Sequence, residues 1–235
     1  MTTSPGGGSL RAAARLAALA CLISFVIVIA VNFGIMARLV VNGNPGATAR
    51  NIVANETLFR IGVAGDLVYC LGVVVMSAAL YVILRPVNQT LALLATFFRL
   101  IHGLTWLLAT LGLFTALRLV TDPDYSRALG ADPLGALVRL HLNGFDAYYV
   151  GLPFWALAAT IGGYLWLKSK YIPKALAAFG LISSAWCVFC AFAYLVFPGF
   201  SKAFNLWLFD SPMTLFELAL SVWLLTRGLR TPLAE

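Results

Sequence analysis

Six separate runs of about twenty apolar residues pass through the 235-residue chain. A helix of that length covers the hydrocarbon core of a bilayer while bonding its own backbone, which no other open structure does there. The sequence therefore predicts an all-α, polytopic membrane protein, a bundle of six transmembrane helices. Hydrophobic residues make up 61% of the chain and charged ones 11%, against roughly a quarter charged in soluble domains. Little sequence is left for a separate aqueous domain.

The punctuation sets the boundaries. Residues 1–10 read as a flexible, glycine-rich tail, residues 11–230 as one transmembrane domain and residues 231–235 as a C-terminal tail. The spans fall at about Arg11 to Val40, Leu58 to Leu84, Gln89 to Leu119, Asp132-Pro133 to Lys168, Pro173 to Phe197 and Ser211 to Arg227. Arg85-Pro86-Val87-Asn88 and the basic run ending at Pro173 are tight breaks, because proline stops one helix and opens the next. Asp132 is placed as an N-cap ahead of Pro133. Pro153 interrupts the fourth span and is expected to kink it. Leu16 to Met36 is longer than a cleavable signal core and lacks an A-x-A site, so it reads as a retained first helix. Tyr81 to Leu94 and Tyr164 to Phe179 share a faint pattern of aromatic, basic residue and proline.

Net charge is +7, but the basic residues stand singly at span ends. That pattern serves topology and anionic lipid, and it excludes nucleic acid as a partner. The tail, the two tight turns and the C-terminus hold Arg11, Arg15, Arg85, Lys168, Lys170, Lys174, Arg227 and Arg230. The longer connections hold Arg38, Arg50, Arg60, Arg118, Arg127, Arg139 and Lys202. The first set occupies far fewer residues, which places both termini in the cytoplasm of a cell with this protein in its inner membrane. Cys21, Cys70, Cys187 and Cys190 all fall inside apolar runs, where cysteine acts as a small hydrophobe.

Function must be sought in the ionisable residues left inside the spans, because such groups are costly in lipid and rarely idle. Asp66 lies roughly 12 Å and Glu217 roughly 9 Å along their helices from the outer ends. Asp66, Glu217 and Asp146 share the outer third of the bundle with Arg60 and His141, near Asn143, Tyr148 and Tyr149, which predicts an outward-facing polar pocket. Arg99 and His102 lie deeper and, at i and i+3, on one face. Arg99 should find a carboxylate, with Asp66 the first candidate and Glu217 the second. Arg60, Asp66, Arg99, His102, Asp146 and Glu217 are the candidate ligand-binding residues; Asp66, Glu217 and His141 are the acid–base candidates.

Three functions compete. The leading one is binding of a small molecule or lipid head group, with the arginines holding an anionic group and the carboxylates a cation. The others are an intramembrane enzyme using buried carboxylates, acid–base or metal-assisted, and a structural or assembly protein whose ion pairs are interhelical glue. A homo-oligomer is compatible with each. Haem between His102 and His141 is disfavoured by a depth difference of roughly 10 to 18 Å. Zinc is disfavoured because no H-E-x-x-H or comparable pair is present, and no metal site is assigned. No G-x-S-x-G elbow, P-loop or dinucleotide fingerprint exists.

The order Thr48-Ala49, Asn51-Ile52, Leu58-Phe59-Arg60-x-Gly62, Asp66, Pro86-Val87 and Phe98-Arg99-Leu100 resembles a known bacterial family. So do Gly163-Tyr164-Leu165, Ser169-Lys170-Tyr171-Ile172-Pro173 and Glu217-Leu218 with Trp223-Leu224-Leu225. The chain looks like the six-helix membrane family catalogued as domain of unknown function four thousand three hundred eighty-six. The likeness covers nearly everything past residue 10, with Ala177 in place of an expected glycine. It implies the bundle and favours Arg60, Asp66, Arg99 and Glu217 as a polar signature. It implies no activity.

Overall fold

The computed structural model describes the backbone of residues 7–41, 43–142, 144–197, 199–205 and 207–230. It leaves out the side chains at 7, 126, 129, 131–132 and 144–147. Among the described residues every element is helical and none is a strand. The chain runs through α1 (Gly7–Ile29), a π-helical stretch (Ala30–Met36), α2 (Ala37–Leu39), α3 (Pro45–Ala54) and α4 (Glu56–Leu84). It continues through α5 (Gln89–Thr121), α6 (Pro123–Leu129), α7 (Ala131–Leu142) and α8 (Gly144–Ser169). The last elements are α9 (Lys174–Val196), α10 (Phe200–Ala203) and α11 (Trp207–Thr226).

Six helical stretches are long and apolar enough to cross a membrane, beginning with the continuous run Gly8–Leu39. Their outer faces are apolar: Val26, Leu71, Ile182 and Phe189 are 63%, 65%, 69% and 59% exposed. Many apolar side chains left bare along long helices would be untenable in water and are what a lipid solvent requires.

The structure bears on the expected spans in three places. The helix expected from Asp132-Pro133 to Lys168 is described as α7 and α8, on either side of position 143. The Asp132 and Asp146 side chains and all of Asn143 lie outside the described residues, as do Met1–Gly6 and the tail 231–235. An additional ten-residue helix, α3, precedes α4. It starts where the Asn44 side chain accepts a bond from the Ala47 N–H (2.9 Å), with Pro45 at the first helical position, a strong helix-start signal. At about 15 Å, α3 is too short to cross a bilayer.

The third place is α11, which begins at Trp207, four residues before the expected Ser211, so that Pro212 sits inside it. Proline has no N–H and cannot serve the carbonyl of Leu208. The Trp186 indole N–H of α9 bonds that carbonyl instead, at 2.8 Å.

The packing divides the chain into two compact units. The first takes the chain up to Ile23, Gly72–Gly103 and the part from Tyr149 onward; the second takes Ser24–Leu71 and Leu104–Tyr148. In the first unit, Ile83, Leu165, Trp166, Ile172 and Phe216 sit in one core, with alanines of α1. A Cβ on Gly163 of α8 would lie 2.7 Å from the Leu181 main-chain nitrogen of α9, so only glycine permits that approach. In the second unit, Leu39, Ile52, Phe59, Val63 and Leu117 form a core. There α3 packs against α7, whose Val138 is fully buried while Leu140 is exposed.

Candidate functional site

Polar side chains inside these helices fall into two groups, one in each unit. The first is built on Arg99 of α5, which is 6% exposed. A lone arginine at the centre of a spanning helix costs about 2.5–3.5 kcal/mol on insertion scales. Its partner is Glu217 of α11, with Arg99 Nη2 and Glu217 Oε1 2.8 Å apart. The sequence ranked Asp66 first for this role and Glu217 second; the structure forms the Glu217 pair.

The same Glu217 oxygen accepts the Trp155 indole N–H of α8 at 3.0 Å. Trp155 in turn stacks on His102, ring centroids 5.4 Å apart, and the His102 imidazole bonds the Gly151 main chain. The Ser221 hydroxyl and the Cys21 thiol both reach the Glu217 carbonyl, at 2.8 Å and 4.0 Å. The carboxylate of Glu217 thereby joins α5 and α8 to α11, and its main-chain carbonyl adds α1. Trp155, Cys21 and Ser221 were not candidates from sequence. Ser221 is four residues from Glu217 and so on its face, a signal that was legible; nothing marked Trp155 out from the other tryptophans.

Arg99 and Glu217 stand at one end of a crevice. Its walls run from Arg99 to Ala92 on α5, Ser77 to Leu84 on α4 and Glu217 to Leu224 on α11. Seven residues of helix make it roughly 10 Å long. It occupies the halves of these helices next to the short turn at Arg85–Asn88. Its walls are mostly small and apolar, with Ala95, Ala158 and Gly162 among them. Its cavity volume is about 40 Å³, enough to admit water. Glu217 engages one nitrogen of the Arg99 guanidinium, and no other acceptor bonds it among the described residues. A guanidinium has five N–H donors in a planar fork, so most of its bonding capacity is not used by the described residues.

The second group surrounds Asp66 of α4, which is 5% exposed. Its carboxylate accepts the Trp106 indole N–H of α5 at 3.3 Å. Tyr69 lies 4.6 Å and Tyr148 5.9 Å from Trp106 between ring centroids. Arg60 does not reach this group: half exposed, it pairs with Glu56 at 2.7 Å. His141 ends α7, its main-chain carbonyl packed against Gly112 of α5. The acid–base candidates are thus divided, Asp66 and His141 in the second unit and Glu217 in the first. His102 and His141 are divided likewise. Among the described residues no three of His, Cys, Asp and Glu converge on a metal-sized site, and none of the four cysteines is in a disulfide.

The family model described as Domain of unknown function (DUF4386) matches residues 16–228. The chain belongs to this family. The match takes in most of the first span, the other five spans whole and both polar groups of this DUF4386 protein. No curated protein and no solved structure matches the chain.

Proposed function

We propose that this protein takes a small molecule or a lipid into the crevice of its first unit, with Arg99 and Glu217 as the polar end of the site. The observation that carries this is the Arg99 guanidinium, nine-tenths buried beside a cavity, with most of its donors turned to no acceptor among the described residues. An arginine fork complements a carboxylate or phosphate. The favoured ligand is therefore a small molecule or lipid bearing a carboxylate or phosphate, its apolar part against the alanine walls. Glu217 holds the guanidinium in place and offers an acceptor to a donor group on the ligand. With the short turns in the cytoplasm, as the charge distribution favours, this crevice lies on that side of the bilayer, whereas the pocket expected from sequence faces outward.

Cys21 supplies the test, since it lines the same crevice. In a variant with the other three cysteines replaced by alanine, a small methanethiosulfonate reagent is expected to modify Cys21 in the folded protein. A long-chain carboxylate is expected to slow that modification in wild-type background and not in Arg99→Gln. Native mass spectrometry of gently extracted protein is expected to show an adduct that Arg99→Gln loses. A Cys21 that reacts only after unfolding, or at a rate indifferent to both carboxylate and Arg99, would overturn the proposal and leave the pair as interhelical glue.

A further inference from the structure

The second unit carries a hollow that neither polar group uses. Helix α3 lies in the connection between the first span, which ends at Leu39, and α4, which begins at Glu56. Two hydrogen bonds fasten it to the end of that span. The Val41 N–H donates to the Thr48 hydroxyl at 2.9 Å, and the Asn51 carboxamide donates to the Leu39 carbonyl at 3.2 Å. On another side α3 packs against α7, where a Cβ on Gly135 would lie 3.4 Å from the Pro45 Cβ.

Between α3, α7 and the end of α5 is a cavity of about 330 Å³, lined by Ala49, Arg50, Val53, Ala54, Val120 and Leu134. Val120 is the last residue but one of α5, so the cavity stands where a span leaves the hydrocarbon and meets the head groups. Arg50 is the one charged residue of α3 and is exposed. Among the described residues no acceptor bonds it and no carboxylate pairs with it. Its Nη1 lies 3.6 Å from where Gly46 would carry a Cβ, so the charge is drawn back along α3 toward the first turn and the remaining walls are apolar.

An apolar hollow at head-group depth with an unanswered cation at its edge has the polarity of an anionic phospholipid. A phosphate fits the planar arginine fork, and an acyl chain fits Val53, Val120 and Leu134. A zwitterionic lipid brings its own cation to the same place, and among the described residues no carboxylate lines the cavity to receive it. We propose that this hollow holds one anionic phospholipid of the surrounding bilayer, its phosphate on Arg50 and its chain along α5 and α7. This site belongs to the second unit and stands or falls independently of the crevice at Arg99.

Arg139 of α7 provides the control, being exposed and likewise without a partner among the described residues, but outside the cavity lining. In a variant with the four cysteines replaced by alanine, Leu137→Cys carries a bimane label three residues from Leu134 and so on its face. The protein is placed in phosphatidylcholine nanodiscs containing a small fraction of phosphatidylglycerol or phosphatidylcholine with a nitroxide near the top of one chain. Labelled phosphatidylglycerol is expected to quench the bimane with an apparent affinity roughly fivefold or more above that of labelled phosphatidylcholine. Arg50→Gln is expected to abolish this preference, as is Ala54→Trp, which fills the hollow and keeps the arginine; Arg139→Gln is expected to leave it. Equal quenching by the two lipids would overturn the site, and so would a preference that survives Ala54→Trp. A loss as large in Arg139→Gln as in Arg50→Gln would reduce it to surface charge, and no quenching by either lipid would show the hollow closed to lipid; both overturn the proposal. Because Arg50 is exposed and bonds no described residue, Arg50→Gln is expected to fold as wild type, which circular dichroism checks.

Discussion

Replacing Glu217 with glutamine separates a buried ion pair from an ordinary interhelical hydrogen bond. The side chains of Arg99 and Glu217 are 8% and 12% exposed and 2.8 Å apart, so removal of the carboxylate leaves a guanidinium buried without a counter-charge. Breaking such a pair from one side costs about 3–5 kcal/mol. The glutamine oxygen still accepts from Trp155, so the loss is chiefly electrostatic. Arg99→Gln should cost a similar amount for the converse reason. With both changes no charge remains to desolvate, and stability should return to within about 1 kcal/mol of wild type. The cycle then yields a coupling of about 5 kcal/mol or more, against an average of about 0.6 kcal/mol for interhelical hydrogen bonds in a membrane protein. Reversible unfolding by SDS in mixed micelles, followed by circular dichroism, measures all four proteins. Single-variant costs near 1 kcal/mol that simply add would refute the reasoning.

Three further outcomes follow from the packing. Trp186→Phe leaves the Leu208 carbonyl without a donor and should cost about 1–3 kcal/mol, and adding Pro212→Ala, which restores a main-chain N–H, should recover part of it in the same SDS titration. Gly163→Ala should cost about 1–3 kcal/mol by forcing α8 from the α9 backbone, read as a lower thermal midpoint. Arg60→Gln should change stability by less than about 1 kcal/mol, because its pair with Glu56 is half exposed; a larger loss in thermal unfolding would show that Arg60 does something the pair does not.

The six spans were legible because long uncharged runs have one stable solution in lipid, and the breaks at Arg85–Asn88 and before Lys174 carry their own proline signals. The partner of Arg99 was not legible, for a geometric reason. Depth counted along a helix depends on where the helix starts, and the expected start of the last span is Ser211. With the true start at Trp207, Glu217 lies ten residues into a 20-residue helix. That is roughly 6 Å deeper than counted and at the middle of its span. Arg99 is likewise ten residues into α5. A four-residue error in one boundary was enough to rank Asp66 ahead of Glu217. Helix α3 was missed although Asn44-Pro45 announces it, because attention to long apolar runs passes over ten mixed residues. Trp155 and Cys21 carry no local signal: their role exists only once α1, α8 and α11 are side by side.

The proline within α11 has a consequence for how the chain is put together. A helix that satisfies all its own main-chain groups can enter the bilayer alone, but this one arrives with the Leu208 oxygen lacking a donor that only a neighbour can lend. Its first turns are therefore stable in lipid only after α9 is in place to receive them. The final two spans should accordingly insert as one hairpin, the earlier member acting as template for the later.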